Sequence, residues 1–143
     1  MQLPNKLSGT TLELVESAFP ASAKDISRLI GIQATLALVR EFGGSEISFP
    51  KNQEGKAPER FAFLANIIGA TNVRILANAY RGCEEVYVPR CAKALRLIRD
   101  REIVAEYEKL LKTNSAAGAA QIIAKKQRMT QRNVNLIVNR PCN

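Results

Sequence analysis

The sequence predicts a mainly α-helical chain, in which a duplicated helix–strand platform with a two-stranded antiparallel ribbon precedes a C-terminal helix-turn-helix. Three observations carry this expectation. The stretch from Ile30 to Lys51 recurs, loosely, from Ile68 to Arg90. Apolar residues return at every third or fourth position in both copies and again after Cys91, the period of an amphipathic helix. Near the end, Gln127-Arg128-Met129 separates two short amphipathic segments. The expected division is a platform over 1–90 and a helix-turn-helix domain over 91–143.

A short leading helix is expected at about Thr10 to Ala18. In the first copy Ile26, Leu29, Ile30 and Leu36, with Gln33 between, describe one amphipathic helix. Gly43-Gly44 ends it, since glycine accepts the left-handed conformation at a helix C-terminus. Ile47-Ser48-Phe49 then alternates as a short strand, stopped by Pro50. The second copy repeats the pattern with Leu64, Ile67, Ile68, Gly82 and Val86-Tyr87-Val88-Pro89. The offset is 38 residues in the helical part (Ile30 to Ile68) and 39 in the strand part (Ile47 to Val86). Two such units suggest a pseudo-two-fold pair, and two copies are too few for a solenoid. The polar stretch Lys51 to Pro58 reads as the loop between them.

From Cys91 the pattern is helical again, through Leu95, Leu97, Ile98, Ile103, Tyr107, Leu110 and Leu111. Thr113-Asn114-Ser115 breaks it. In the next helix Ala120, Ile123 and Ala124 share one face, and Ala124 is small where a second helix must cross closely. Met129 plugs the turn. Thr130 is a good N-cap, worth about 1 kcal/mol. Val134, Ile137 and Val138 then face the core, which turns Arg132, Asn135, Leu136 and Asn139 outward.

Charge narrows the function. The formal net charge is +8. It is concentrated late: residues 1–80 carry 8 basic and 7 acidic side chains, residues 81–143 carry 13 and 6. After Glu108 there is no acid, while Lys109, Lys112, Lys125, Lys126, Arg128, Arg132 and Arg140 follow. A basic tail without counter-charge is the footprint of a polyanion partner. Histidine is absent, which removes the commonest general base near neutral pH and the usual zinc nitrogen. Cys83, Cys91 and Cys142 form no CxxC and read as free thiols. No phosphate loop is present. No enzyme, metal or cofactor is expected, and Glu84-Glu85 reads as a solvated strand edge. No apolar run approaches the roughly 20 residues of a membrane span, and Met1 to Gly9 lacks a signal-peptide pattern. A cytoplasmic protein is expected.

The outward face of the last helix has the chemistry for reading bases. Arginine grips guanine, asparagine or glutamine grips adenine, and an apolar tip meets the thymine methyl. Gln131, Arg132, Asn135, Leu136 and Asn139 are therefore the candidate base contacts, with Gln131 and Arg132 at the end that enters the major groove. Lys125, Lys126, Arg128, Thr130 and Arg140 are the candidate phosphate contacts. Arg128 occupies the turn position that usually holds glycine, so the turn is either distorted or the arginine is kept for phosphate.

The stretch Gly82 to Asp100, with Val86-Tyr87-Val88-Pro89-Arg90 and Arg99-Asp100, resembles the Mor family of phage middle-gene transcription activators, and the C-terminal helix-turn-helix is similar to that family's own. "FGGSEISFPK" looks like a second, looser copy of the strand motif. The resemblance implies a dimerisation region in front, a strand linker, and a helix-turn-helix that binds double-stranded promoter DNA, activating transcription by recruiting host RNA polymerase. It also implies a homodimer or higher homo-oligomer, unless the duplicated front forms an intrachain pseudo-dimer. Tyr87 and Arg90 become strand-linker or minor-groove candidates, with cross-strand packing as the alternative for Tyr87. The competing reading is a phage-derived binding module or inhibitor that acts on a host protein or RNA without regulating promoters.

Overall fold

A computed structural model describes residues 9–50 and 58–140. The N-terminal residues 1–8, most of the expected inter-copy loop (51–57) and Cys142 lie outside the described residues. The described order is α1 (Gly9–Ser17), α2 (Ala21–Ile30), α3 (Ile32–Phe42), β1 (Ser45–Ile47), α4 (Pro58–Ile68), α5 (Ala70–Ala79), β2 (Val86–Val88), α6 (Ala92–Leu110), α7 (Ala116–Gln127) and α8 (Gln131–Val138). Among the described residues the chain is mainly helical, with one small two-stranded antiparallel sheet. It separates into two compact units, Met1–Ala94 and Leu95–Asn143, with the boundary inside α6. Among the described residues no single helix is long and apolar enough to cross a membrane.

In the front unit, the one helix expected through Ile26 to Leu36 is two helices, α2 and α3. Gly31 separates them at φ 86°, ψ 162°, a region open essentially to glycine alone. Nothing lies within 4 Å of a β-carbon built there, so backbone conformation and not space requires the glycine. Its N–H closes α2 on the Ser27 carbonyl at 2.8 Å, and its carbonyl opens α3 by accepting from the Thr35 N–H at 3.1 Å. The Thr35 hydroxyl, fully buried, donates to that same carbonyl at 2.8 Å. Gly69 (φ 92°, ψ 146°) breaks α4 from α5 in the same way, bonding to Ala65 at 2.8 Å and Val73 at 3.1 Å.

The break also changes which side chains are inside. The buried face of α2 is Ala23, Ile26 and Ser27. Leu29 lies about 110° from the middle of that stripe at 3.6 residues per turn. It is 40% exposed, against the expectation that it faces the core. The core is built from Ile26, Leu36, Leu38, Val39, Phe61, Leu64, Val73 and Leu76. Packing is crosswise as well as local: α2 lies against α5 and α3 against α4. Phe42 at the end of α3 meets Phe63 of α4 edge-on at 6.0 Å. At the end of α5, Tyr80 lies near enough to Asp25 of α2 for the carboxylate to push its phenol pKa up, after burial as the larger cause.

The first strand starts earlier than expected, at Ser45 and not Ile47, and ends before Ser48-Phe49. Ser45, Glu46 and Ile47 pair with Val88, Tyr87 and Val86 respectively. The reason is the preceding turn. The Gly44 N–H donates to the Val88 carbonyl at 2.7 Å, so pairing begins directly after the glycines. Gly43 permits this approach, because a β-carbon there would meet the Val39 carbonyl oxygen at 2.6 Å and Arg90 Cα at 3.3 Å. Beyond Ile47 the chain leaves the ladder. The Ser48 carbonyl accepts from Arg60 Nε of α4 at 3.3 Å, and Phe49 stacks on Tyr80 at 6.1 Å. Ile47 and Val88 face the core, while Glu46 and Tyr87 face outward.

Cys91 joins β2 to α6 with φ 50°. Its side chain is buried, and burial pushes the thiol up to about 11.

The C-terminal unit packs the latter part of α6 with α7 and α8. Ile103, Ala120, Ile123, Ala124, Val134 and Ile137 form its core, edged by Val104, Tyr107, Leu110, Met129 and Val138. Leu111, expected in the apolar run, falls past the end of α6 and is 43% exposed. Ser115 does more than break a helix. Its hydroxyl accepts the Gly118 N–H at 3.1 Å and so caps α7.

Candidate nucleic-acid interface

The site begins at the turn between α7 and α8. Arg128 sits squarely in the left-handed region at φ 54°, ψ 49°, so the turn is undistorted and a non-glycine residue carries it. That conformation costs an L-residue roughly 1–2 kcal/mol. The Arg128 and Met129 N–H groups both donate to the Ala124 carbonyl, the latter at 3.0 Å, which satisfies the end of α7. Met129 is half-buried against the core, and Asn133 Nδ2 reaches its sulfur at 3.7 Å. Thr130 then caps α8, its hydroxyl accepting the Asn133 N–H at 3.0 Å.

With both ends held, the faces of α8 are set by the helical repeat. Val134 and Ile137 are buried at 0% and 3% exposure. Gln131, Arg132, Asn135, Leu136 and Asn139 are all exposed, and Leu136 is 56% so. Those five, together with Arg140, line one open depression of about 580 Å³. Every residue expected to meet a base edge is therefore gathered on one surface, with an apolar tip among amide and guanidinium donors. Neither α7 nor α8 contains an acid. The N-terminus of α8 adds its positive partial charge to the same side, and neither of these two helices supplies an opposing carboxylate.

The phosphate candidates divide in two. Lys125, Arg128 and Thr130 are exposed, at the end of α7 and in the turn. Among the described residues Lys125, Arg128 and Arg132 form no ion pair. Lys126 and Arg140 do. Lys126 Nζ bonds Glu106 at 3.0 Å, and Arg140 reaches Asp100 at 3.4 Å. Asp100 also holds Arg99 at 2.8 Å. The tail that lacks acids in sequence thus meets two carboxylates brought back by α6, which corrects the picture of a wholly uncompensated basic segment. Glu106 and Asp100 lie 20 and 40 residues from their partners, so no local pattern in the sequence announces these pairs.

Tyr87 and Arg90 belong to the front unit. Tyr87 is 52% exposed opposite Glu46. Arg90 follows β2 with its stem over the glycine turn, where a β-carbon on Gly44 would lie 2.7 Å from its Nε. Cys83 is exposed. Among the described residues there is no group of three or more cysteine and carboxylate side chains placed to hold a metal ion.

No family model, curated protein or solved structure matches this chain.

Proposed function

We propose that this chain is a sequence-specific DNA-binding transcription regulator of the Mor type, a phage or prophage activator that recruits host RNA polymerase, with α7 and α8 as its helix-turn-helix. One observation carries the reading: the five outward residues of α8 share a single open surface with Arg140, while the opposite face of the helix is locked into the core by Val134 and Ile137. A face of arginine, amides and one exposed leucine matches the donor, acceptor and methyl pattern of the major groove. Arg128 and Lys125, which form no ion pair among the described residues, supply charge for phosphates, and Lys126 and Arg140 add charge that Glu106 and Asp100 partly compensate. Such contacts fix register on the duplex while the amide face reads sequence.

The front unit reads as a duplicated helix–strand platform. In support, α2 and α4 end at glycines of the same unusual conformation. The packing of α2 on α5 and of α3 on α4 exchanges under a two-fold. Ile47 and Val86, equivalent positions of the two copies, face each other across the ladder. The ring contact of Phe42 with Phe63 and the electrostatic influence of Asp25 on Tyr80 involve equivalent positions.

The alternative, a module that binds a host protein or RNA, is favoured by the exposed Leu136. Fluorescence anisotropy separates the two. A regulator prefers its selected duplex over a scrambled one by roughly 10³-fold or more at matched salt, whereas equal affinity for both duplexes, or tighter binding to an RNA hairpin, rejects the regulator reading.

A further inference from the structure

We infer that this chain reads DNA as a single copy, through one head, at a short site that is not a palindrome. The inference rests on the reading of α7–α8 as the DNA head and of the front unit as a duplicated platform. A two-fold platform has two equivalent exits, one after each strand. The exit after β2 runs through Pro89, Arg90 and Cys91 into α6, and so to the head. The exit after β1 has the equivalent Pro50 and Lys51 but leads through residues 51–57 to α4, the start of the second copy. Its first residues are turned back onto the platform, with the Ser48 carbonyl held by Arg60 at 3.3 Å and Phe49 stacked on Tyr80. One exit is consumed in joining the copies, so one platform carries one head.

The same contacts supply what a second chain would otherwise provide. The crosswise packing of α2 on α5 and α3 on α4 closes the helical core within the chain, and Ile26, Leu36, Phe61, Leu64, Val73 and Leu76 are all at most 1% exposed in it. The strand ladder pairs β1 with β2 of the same chain. Dimeric helix-turn-helix proteins read two half-sites a helical turn apart, and their operator symmetry mirrors their own two-fold. Here the two-fold is spent inside one polypeptide, and the reading surface is not repeated by it.

The expected site is small. The eight residues of α8 span about 12 Å at 1.5 Å per residue, or about four base pairs at 3.4 Å each. The test uses the full chain, first to select bound duplexes from a random pool. Affinity and complex mass are then measured on one duplex with a single copy of the selected block and on another with two inverted copies about 10 base pairs apart. The inference predicts a single enriched block, one chain per block, and no more than a twofold statistical gain from the second copy. A gain of about 10²-fold or more, the avidity of two coupled heads, or two chains bound to a single block, overturns the single-head inference and leaves DNA reading intact. Failure to enrich any sequence overturns the DNA reading and the inference with it.

Discussion

Replacing Arg128 by glycine separates the strain in its backbone at the turn before α8 from the phosphate contact proposed for its side chain. Its backbone is left-handed at φ 54°, ψ 49°, which costs an arginine roughly 1–2 kcal/mol. Glycine adopts the same angles freely but orders more chain entropy on folding, offsetting roughly 0.5–1 kcal/mol of the gain. The Arg128→Gly chain should therefore be more stable by about 0.5–1 kcal/mol, provided the Ala124 carbonyl keeps both of its donors. Urea unfolding followed by circular dichroism reads this as a higher midpoint at unchanged slope. DNA binding should move the other way. Loss of one phosphate contact lowers the slope of log affinity against log salt by about 0.9. Between about 50 and 200 mM salt the variant should therefore lose roughly 3.5-fold less affinity than the parent. A destabilised variant would refute the strain argument, because the arginine side chain would then be holding the turn. A stabilised variant with an unchanged salt slope would refute the phosphate contact.

Three further outcomes follow from the same geometry. Ile123→Ala removes a fully buried side chain from the core under α8, and should cost about 2–5 kcal/mol together with DNA binding; retained binding at full affinity would mean that α8 is not positioned by this core. Glu106→Gln frees Lys126 from its 3.0 Å ion pair and should strengthen DNA binding by a few fold, the scale of a partly exposed pair of up to about 1 kcal/mol; weaker binding would show instead that the pair holds Lys126 in its working position. Cys91 is raised by burial from 9.0 to about 11. Its folded-state value lies above the unfolded one, so the stability it contributes is complete below pH 9.0 and declines as pH rises towards 11. A Cys91→Ala chain should lose less stability than the parent over that interval, and equal losses would count against the buried thiol.

The parts legible in the sequence are those set by local periodicity. Val134 and Ile137 against Asn135 and Leu136 divided the faces of α8, and Thr130 announced its cap. The breaks at Gly31 and Gly69 leave no trace in the apolar spacing, which runs straight through them, and only the backbone angles reveal two helices in each copy. The start of β1 depended on the Gly44 bond to Val88, a pairing 44 residues apart, and the departure of Phe49 depended on Tyr80. The compensation of Lys126 and Arg140 came from α6, whose carboxylates reach the tail only through folding. Local pattern therefore located the candidate surface, and long-range packing decided how much of its charge is free.

Selection from a random duplex pool, with the parent chain and with Arg132→Ala and Asn135→Ala in parallel, tests the proposed reading of bases by the outward face of α8. On that reading each variant still folds and still binds, but relaxes preference at one position of the selected block by roughly 1–3 kcal/mol. Identical sequence preferences for all three chains would contradict it.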